Sequence, residues 1–274
     1  MRSIIVLSLL FLSGSAVASD CAHQADRTFD VDRADIQSLK AVLGSSDLRL
    51  RGVSDLKRIE VRGRACASTA EALENLQIGQ RRDGAQLVVQ TEQKGSNSFS
   101  LFGSNYAYLD LEIRVPADLA VVVDSGSGDV DARDLASLDY EAGSGDLNVE
   151  NIAQELAVEV GSGDVEGSDI GRLRVDSVSS GDLNLRKIRG DAEVGRVGSG
   201  DLTLREVTGN VRVDRVGSGD VDLHDVGGNV LVGSIGSGDV LAASVRGDLT
   251  VESAGSGDVS HRDIGGKVNV PESD

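Results

Sequence analysis

Eight times the chain writes Gly-Ser-Gly-Asp, or its variant Ser-Ser-Gly-Asp. The aspartates of these turns are Asp129, Asp146, Asp164, Asp182, Asp201, Asp220, Asp239 and Asp258, spaced 17, 18, 18, 19, 19, 19 and 19 residues apart. One residue after each aspartate stands Val130, Leu147, Val165, Leu183, Leu202, Val221, Val240 or Val259, and six after it Leu135, Ile152, Ile170, Ile188, Val207, Val226, Val245 or Ile264. The column at plus three is looser, running from Ala132 to His261. Each repeat also echoes itself, since "GSGDLTLREV" is followed by "TGNVRVDRV", with Asn210 in the place of the aspartate. One repeat is therefore two short strands and two turns. Alternation puts one face of each strand inward, and glycine is expected to supply positive backbone angles in the turns.

A unit of this size cannot bury enough apolar surface to order itself, so copies must stack and share a core. The predicted fold is all-β: a single-domain parallel β-helix (β-solenoid) with about 18–19 residues per coil. At a strand spacing of about 4.8 Å, eight coils make a rod about 38 Å long. The pattern leaves the handedness open.

Residues 1–18 read as a secretory signal peptide: Arg2, an apolar run from Ile4 to Leu12, and Ala16-Val17-Ala18 before the cut. The remainder, 19–274, reads as the solenoid domain, with degenerate coils and a cap over 19–124 and the regular coils over 125–271. "GSSDLRLRGV" matches the motif with Ser46 for the second glycine, and "RRDGAQLVVQT" and "YLDLEIRV" alternate as strands. Between them 65–76 has helical periodicity with a capping pair at Ser68 and Glu71, predicting a short helix in the cap. Cys21 and Cys66 are the only cysteines, and in an exported chain they are expected to form a disulfide. At the far end Pro271 and the following "ESD" are expected to blunt the last coil.

Net charge is −18, or −19 without Arg2, and no basic cluster stands ready to grip phosphates. Nucleic acid and insertion into membranes are therefore not expected. The aspartate ladder puts carboxylates about 5 Å apart, a repulsion that backbone N–H groups, serine hydroxyls or calcium must relieve. Calcium would make the protein a calcium-stabilised structural β-roll; without it no cofactor is expected. Lys267, in the second-turn column of Asp191, Asn210, Asn229 and Asp248, is no calcium ligand.

Phe99, Phe102, Tyr106 and Tyr108 fall in or beside a Gly/Ser/Asn-rich loop and are the expected contact residues for a protein or glycan, with packing over the flank as the alternative. Leu231 and Leu241 interrupt outward, mostly polar columns. His23, His224 and His261 assemble no metal site by spacing, and His261 falls in an inward column. The repeats are tight, without the inserted loops that wall an enzyme's groove, so no catalytic residues and no metal are predicted. A polysaccharide-acting enzyme is the third reading.

The GSGD-type repeats, the leader and the "RTFDV", "GRACAS", "LENL" and "RRDG" segments resemble the bacterial family of unknown function labelled "putative adhesins", whose members form parallel β-helices. The resemblance implies an adhesin-like binding or structural module of the cell envelope, periplasmic, secreted or at the cell surface, with an extended binding face. It implies no catalytic residue and no oligomeric state.

Overall fold

The computed structural model describes residues 21–93 and 106–271. The leader reading at 1–18, and Phe99 and Phe102, lie outside the described residues. Two faces of stacked strands run the length of the molecule, joined at two rows of corners. The leading face collects the strands that follow each GSGD turn, such as Leu202–Val207, Val221–Val226 and Val240–Val245; the trailing face collects their successors, such as Val211–Val216 and Val230–Ile235. Leu147–Val160 and Val165–Val178 run through both faces.

Pairing between coils is parallel and in register. Leu202 lies on Val221 and Val221 on Val240, while Val211 lies on Val230 and Val230 on Leu249. Leu202, Leu204, Val211 and Val213 are all buried to within 1%. The spacing of 17, 18 and 19 residues does not disturb this spine. Between the strands 147–160 and 165–178 the register shifts after Ile152 and after Val158, so the extra residues bulge at outward positions and Leu156–Leu173 and Val160–Val178 still stack.

The glycine expectation is corrected. Among the described glycines only Gly44 and Gly84 have positive φ. The glycines of the regular turns serve close approach instead: a Cβ on Gly219 would lie 1.8 Å from the carbonyl oxygen of Gly200 in the preceding coil. The left-handed angles fall five residues after each aspartate, at Asp134, Asn151, Asp169, Lys187, Glu206, Asp225, Ser244 and Asp263, with φ between 54° and 61°. They turn the chain at the end of each leading strand.

Residues 38–53 form a true coil, with Leu39 on Val121 and Leu48 on Val130. The rest of the N-terminal region mixes stacked strands with antiparallel ones. His23–Asp32, Arg58–Ala67 and Ala107–Pro116 pair antiparallel, as do Leu76–Asp83 and Gln86–Gln93. Gln86–Gln93 and Ala107–Pro116 then join the stack on the outer side of coil 38–53. The coil at 38–53 is thus sandwiched between segments that follow it in sequence.

The helix covers only Ala70–Asn75, and its cap is Thr69, whose Oγ1 accepts from the N–H of Ala72 at 3.1 Å, rather than Ser68. Ala65–Ala67 are drawn into a strand because both edges find partners there and all three side chains are buried. Cys21 and Cys66 are joined by a disulfide, tying the start of the described chain to this strand.

Candidate functional site

Each turn aspartate from Asp129 to Asp239 accepts a hydrogen bond from the next turn. Oδ1 of Asp129 accepts from the N–H of Asp146, that of Asp146 from Asp164, and so on without a break to Asp239, which accepts from Asp258, at 2.8–3.1 Å. Asp47 of the 38–53 coil begins the series by accepting from Asp129. The donors are backbone amides of the adjacent coil, one of the three sources of relief expected. Each carboxylate is exposed yet held against a fixed dipole, which offsets repulsion between neighbours.

The opposite corner repeats the device in its later coils. Asp191, Asn210, Asn229 and Asp248 each accept the next residue's N–H in the column, and the run ends when Lys267 donates its backbone N–H to Asp248. Variation of Asp with Asn follows from this role, since either side chain offers an oxygen. Lysine is tolerated at the last place because no described coil follows to donate to it.

Both rows of turn oxygens are engaged in stacking, which leaves the outward side chains of the two faces for contact. A groove of about 700 Å³ follows the left-handed corners of the late coils, lined by Lys187, Arg189, Glu206, Asp225, Arg246 and Asp263, an alternation of both signs. A second, of about 470 Å³, runs beside the first ladder past Asp47, Asp110, Asp129, Asp131 and Asp146. Arg133 bonds Asp131 there at 2.8 Å. No group of three or more His, Cys, Asp or Glu converges as a metal cage among the described residues.

The carboxyls with shifted titration are structural. A hydrogen bond from Arg62 holds Asp30 below the usual carboxylate range, and one from Arg33 does the same for Asp118. The downward direction is that of an ion pair; a general acid needs the opposite.

Of the four contact aromatics, the two described sit on the cap. The rings of Tyr106 and Tyr108 are 6.3 Å apart. Tyr106 is built into the framework: its hydroxyl accepts from the N–H of Ala22 at 2.9 Å, and its backbone exchanges bonds with Ser68. Tyr108 stands across from Cys66 in the strand register and is 47% exposed, more than any other large hydrophobic side chain among the described residues. Leu231 and Leu241 are half-buried and lie in separate places, between Arg212 and Thr250 and between Asp222 and Ser260.

The histidines stay apart. Nε2 of His224 lies 2.6 Å from Oδ1 of Asp222 on the leading face. His261 is exposed, against expectation; among the described residues its column is covered only on the side of Ala242. Sequence reasoning missed Tyr140, wholly buried in the trailing-face spine with its hydroxyl donating to the carbonyl of Gly145 at 2.9 Å. Its position in the second-strand column, opposite Val123 and Val158, was the available signal.

Several solved structures resemble the molecule. One is described as a "putative adhesin" from Bacteroides fragilis NCTC 9343, 13% identical, covering 91% of this chain and 98% of that one with a TM-score of 0.43. A "putative lipid binding protein" from Parabacteroides distasonis ATCC 8503 is 15% identical over 92% and 98% of the two chains, with a TM-score of 0.39. A "putative cell adhesion protein" from Clostridium sporogenes ATCC 15579 is 14% identical over 74% and 99%, with a TM-score of 0.38. No curated protein matches the chain. The family described as Toastrack DUF4097 matches twice, over residues 55–170 and 153–271, and so takes in the antiparallel cap strands from Arg58 onward and all eight regular coils. The chain belongs to the Toastrack DUF4097 family.

Proposed function

We propose that this protein is an exported, non-enzymatic β-solenoid serving as an adhesin-like binding or structural module of the bacterial cell envelope. The observation that carries the reading is the engagement of both turn ladders in coil-to-coil bonds. What the rod offers a partner is then a fixed array of outward side chains, repeated every coil, and not a set of convergent reactive groups. The disulfide supports an oxidising location, in the periplasm or outside the cell. No helix among the described residues is long and apolar enough to cross a membrane.

The partner is a protein or glycan of the envelope or of a surface, met by the aromatic segment ending at Tyr108 and by the neighbouring flank. Exposed aromatic rings on a rigid base bind sugars and proteins at small entropic cost. The test is capture from envelope extracts and on a glycan array, comparing the wild type with Phe99→Ala, Phe102→Ala and Tyr108→Ala. Lost capture with an unchanged melting point supports the reading. Unchanged capture with lowered melting assigns the rings to packing, and release of reducing sugar from an acidic polysaccharide would make the protein an enzyme.

A further inference from the structure

One outward column of the trailing face changes sign along the rod. Glu141, Glu159, Ser177, Arg196 and Arg215 stand in register in five successive coils. Neighbours in a column are about 4.8 Å apart, so carboxylate is set beside carboxylate and, past Ser177, guanidinium beside guanidinium. All four charged side chains are exposed, and among the described residues none of them holds a hydrogen bond or an ion pair. The other arginines of the trailing strands are paired: Arg172 with Glu193 at 2.6 Å, Arg212 with Asp214 at 2.7 Å, and Arg174 with Asp176. The neighbouring outward column reverses about the same coil. Asp139 lies two coils before Arg174 and Arg212 two after, while Val122 lies three before and Leu231 three after.

We propose that two copies of this chain pair side by side through their trailing faces, about a two-fold axis that lies between the faces and along the strands of the coil carrying Ser177. Such an axis reverses the order of the coils and keeps each column over itself. Glu159 of one copy then meets Arg196 of the other, Glu141 meets Arg215, and Asp139 meets Arg212. Val122 meets Leu231, which gives the leucine that interrupts a polar column an apolar neighbour. An isologous contact makes each of these pairs twice and closes after two copies. A two-fold axis along the rod would instead keep the coils level and reverse the columns, setting Asp139 on Glu141 and Arg212 on Arg215. Charge selects the first arrangement.

The remaining acids of the contact, Asp124, Glu155, Glu193 and Asp214, each face a cation of their own chain, in turn Lys40, Arg174, Arg172 and Arg212. At the axis Arg174 and Asp176 meet their own counterparts as ready ion pairs. The seven coils from Val122 to Leu231 span about 34 Å and a six-residue strand about 20 Å, so each copy contributes about 670 Å², near the lower bound of a standard-size interface. The leading face stays open, and with it Tyr108, whose strand stacks on the leading strand Leu48–Val53. Capture of an envelope partner and pairing of the copies are therefore separate readouts.

Sedimentation velocity and small-angle scattering on the disulfide-bonded chain, from about 10 to 500 μM at low salt, test this. The expected result is a reversible dimer little longer than one copy but of doubled cross-section, which weakens as salt is raised. Glu159→Arg and Arg196→Glu should each weaken association about tenfold or more, and the two changes in one chain should restore it. A chain with Glu141→Arg and Glu159→Arg and another with Arg196→Glu and Arg215→Glu should each stay monomeric and should pair when mixed. The replaced side chains hold no described contact, so the single variants should melt like the wild type at low concentration. A wild type that stays monomeric throughout, a dimer of doubled length, a dimer indifferent to the reversals, or a double variant that does not regain association overturns the proposal. So does a monomer that binds polyphosphate through Arg196 and Arg215, which would give those arginines an anionic ligand in place of a second copy.

Discussion

The carboxylate of Asp201 accepts the backbone N–H of Asp220 at 2.9 Å, while the carbonyl of Asp220 accepts the N–H of Leu202 at 2.8 Å. Neighbouring coils are thus clasped in both directions at one point. Asp201→Ala removes the acceptor and should lower stability by about 1–2 kcal/mol, whereas Asp201→Asn keeps an oxygen and should lose much less. Asp258→Ala, where no N–H waits, should stay within about 0.5 kcal/mol of the wild type. Thermal melts of the three variants check the order; equal losses at Asp201 and Asp258 would refute the acceptor role.

If hydrogen bonds are what settle the ladder, calcium has little left to do. Melting in millimolar calcium and in excess chelator should agree to about a degree. An ion held at 100 times its dissociation constant adds about 2.7 kcal/mol, a shift of several degrees that the same melts would reveal. Such a shift would place cations in the acidic groove beside Asp110, Asp129 and Asp131.

Gly219 is required by distance, since its missing Cβ would stand 1.8 Å from the Gly200 carbonyl. Gly219→Ala forces adjacent turns apart and should cost about 1–3 kcal/mol or more. Ser218→Ala, on an exposed residue of the same turn, should stay within about 0.5 kcal/mol. Parallel losses in the two variants would show that the turn tolerates crowding.

Glu206 holds φ at 58°, a region costly for a side chain with a Cβ. Glu206→Gly should stabilise by about 0.5–1 kcal/mol, the strain relieved exceeding the freedom given to the unfolded chain. A lower melting temperature would mean that the outward side chain at this corner contributes more than its backbone angle costs.

The spine was legible because burial forces the same residue class into the same column in every coil. Leu202, Val221 and Val240 could be placed on one another from spacing alone. The left-handed corner was not legible, because Asp, Asn, Lys, Glu and Ser all occupy it and no residue class betrays an angle held by the stack. The GSGD glycines were legible as turn residues, but a small residue fits both a positive angle and a close approach, and only coordinates separate the two. In the cap, alternation found the strands of 86–93 and 107–116 without revealing their direction, since period two is the same in parallel and antiparallel sheets. The candidate site fared worse: Tyr108 is exposed as a contact residue should be, while Tyr106 resembled it in sequence and is bonded into the framework.

Tyr140 gives the spine a titratable group. Burial pushes its phenol far above the ordinary tyrosine range. A raised folded value means that its contribution is whole below the unfolded value near 10 and is lost as pH rises beyond it. Tyr140→Phe should cost about 1 kcal/mol at neutral pH through the bond to Gly145, and should then decline less steeply between about pH 10 and 12. Denaturation at several alkaline pH values checks both signs, and parallel curves for the two proteins would remove the phenol from the account.

Coils of unequal length share one register because their surplus residues are pushed outward, as at the shifts after Ile152 and Val158. Reach along the axis therefore depends on how many coils there are and not on how many residues each contains. A gene could lose or duplicate one whole unit and change the molecule's span by a single strand spacing, about 4.8 Å, with both extremities chemically intact. Architecture of this kind lets distance be adjusted in fixed increments while whatever the tips and flanks recognise stays the same.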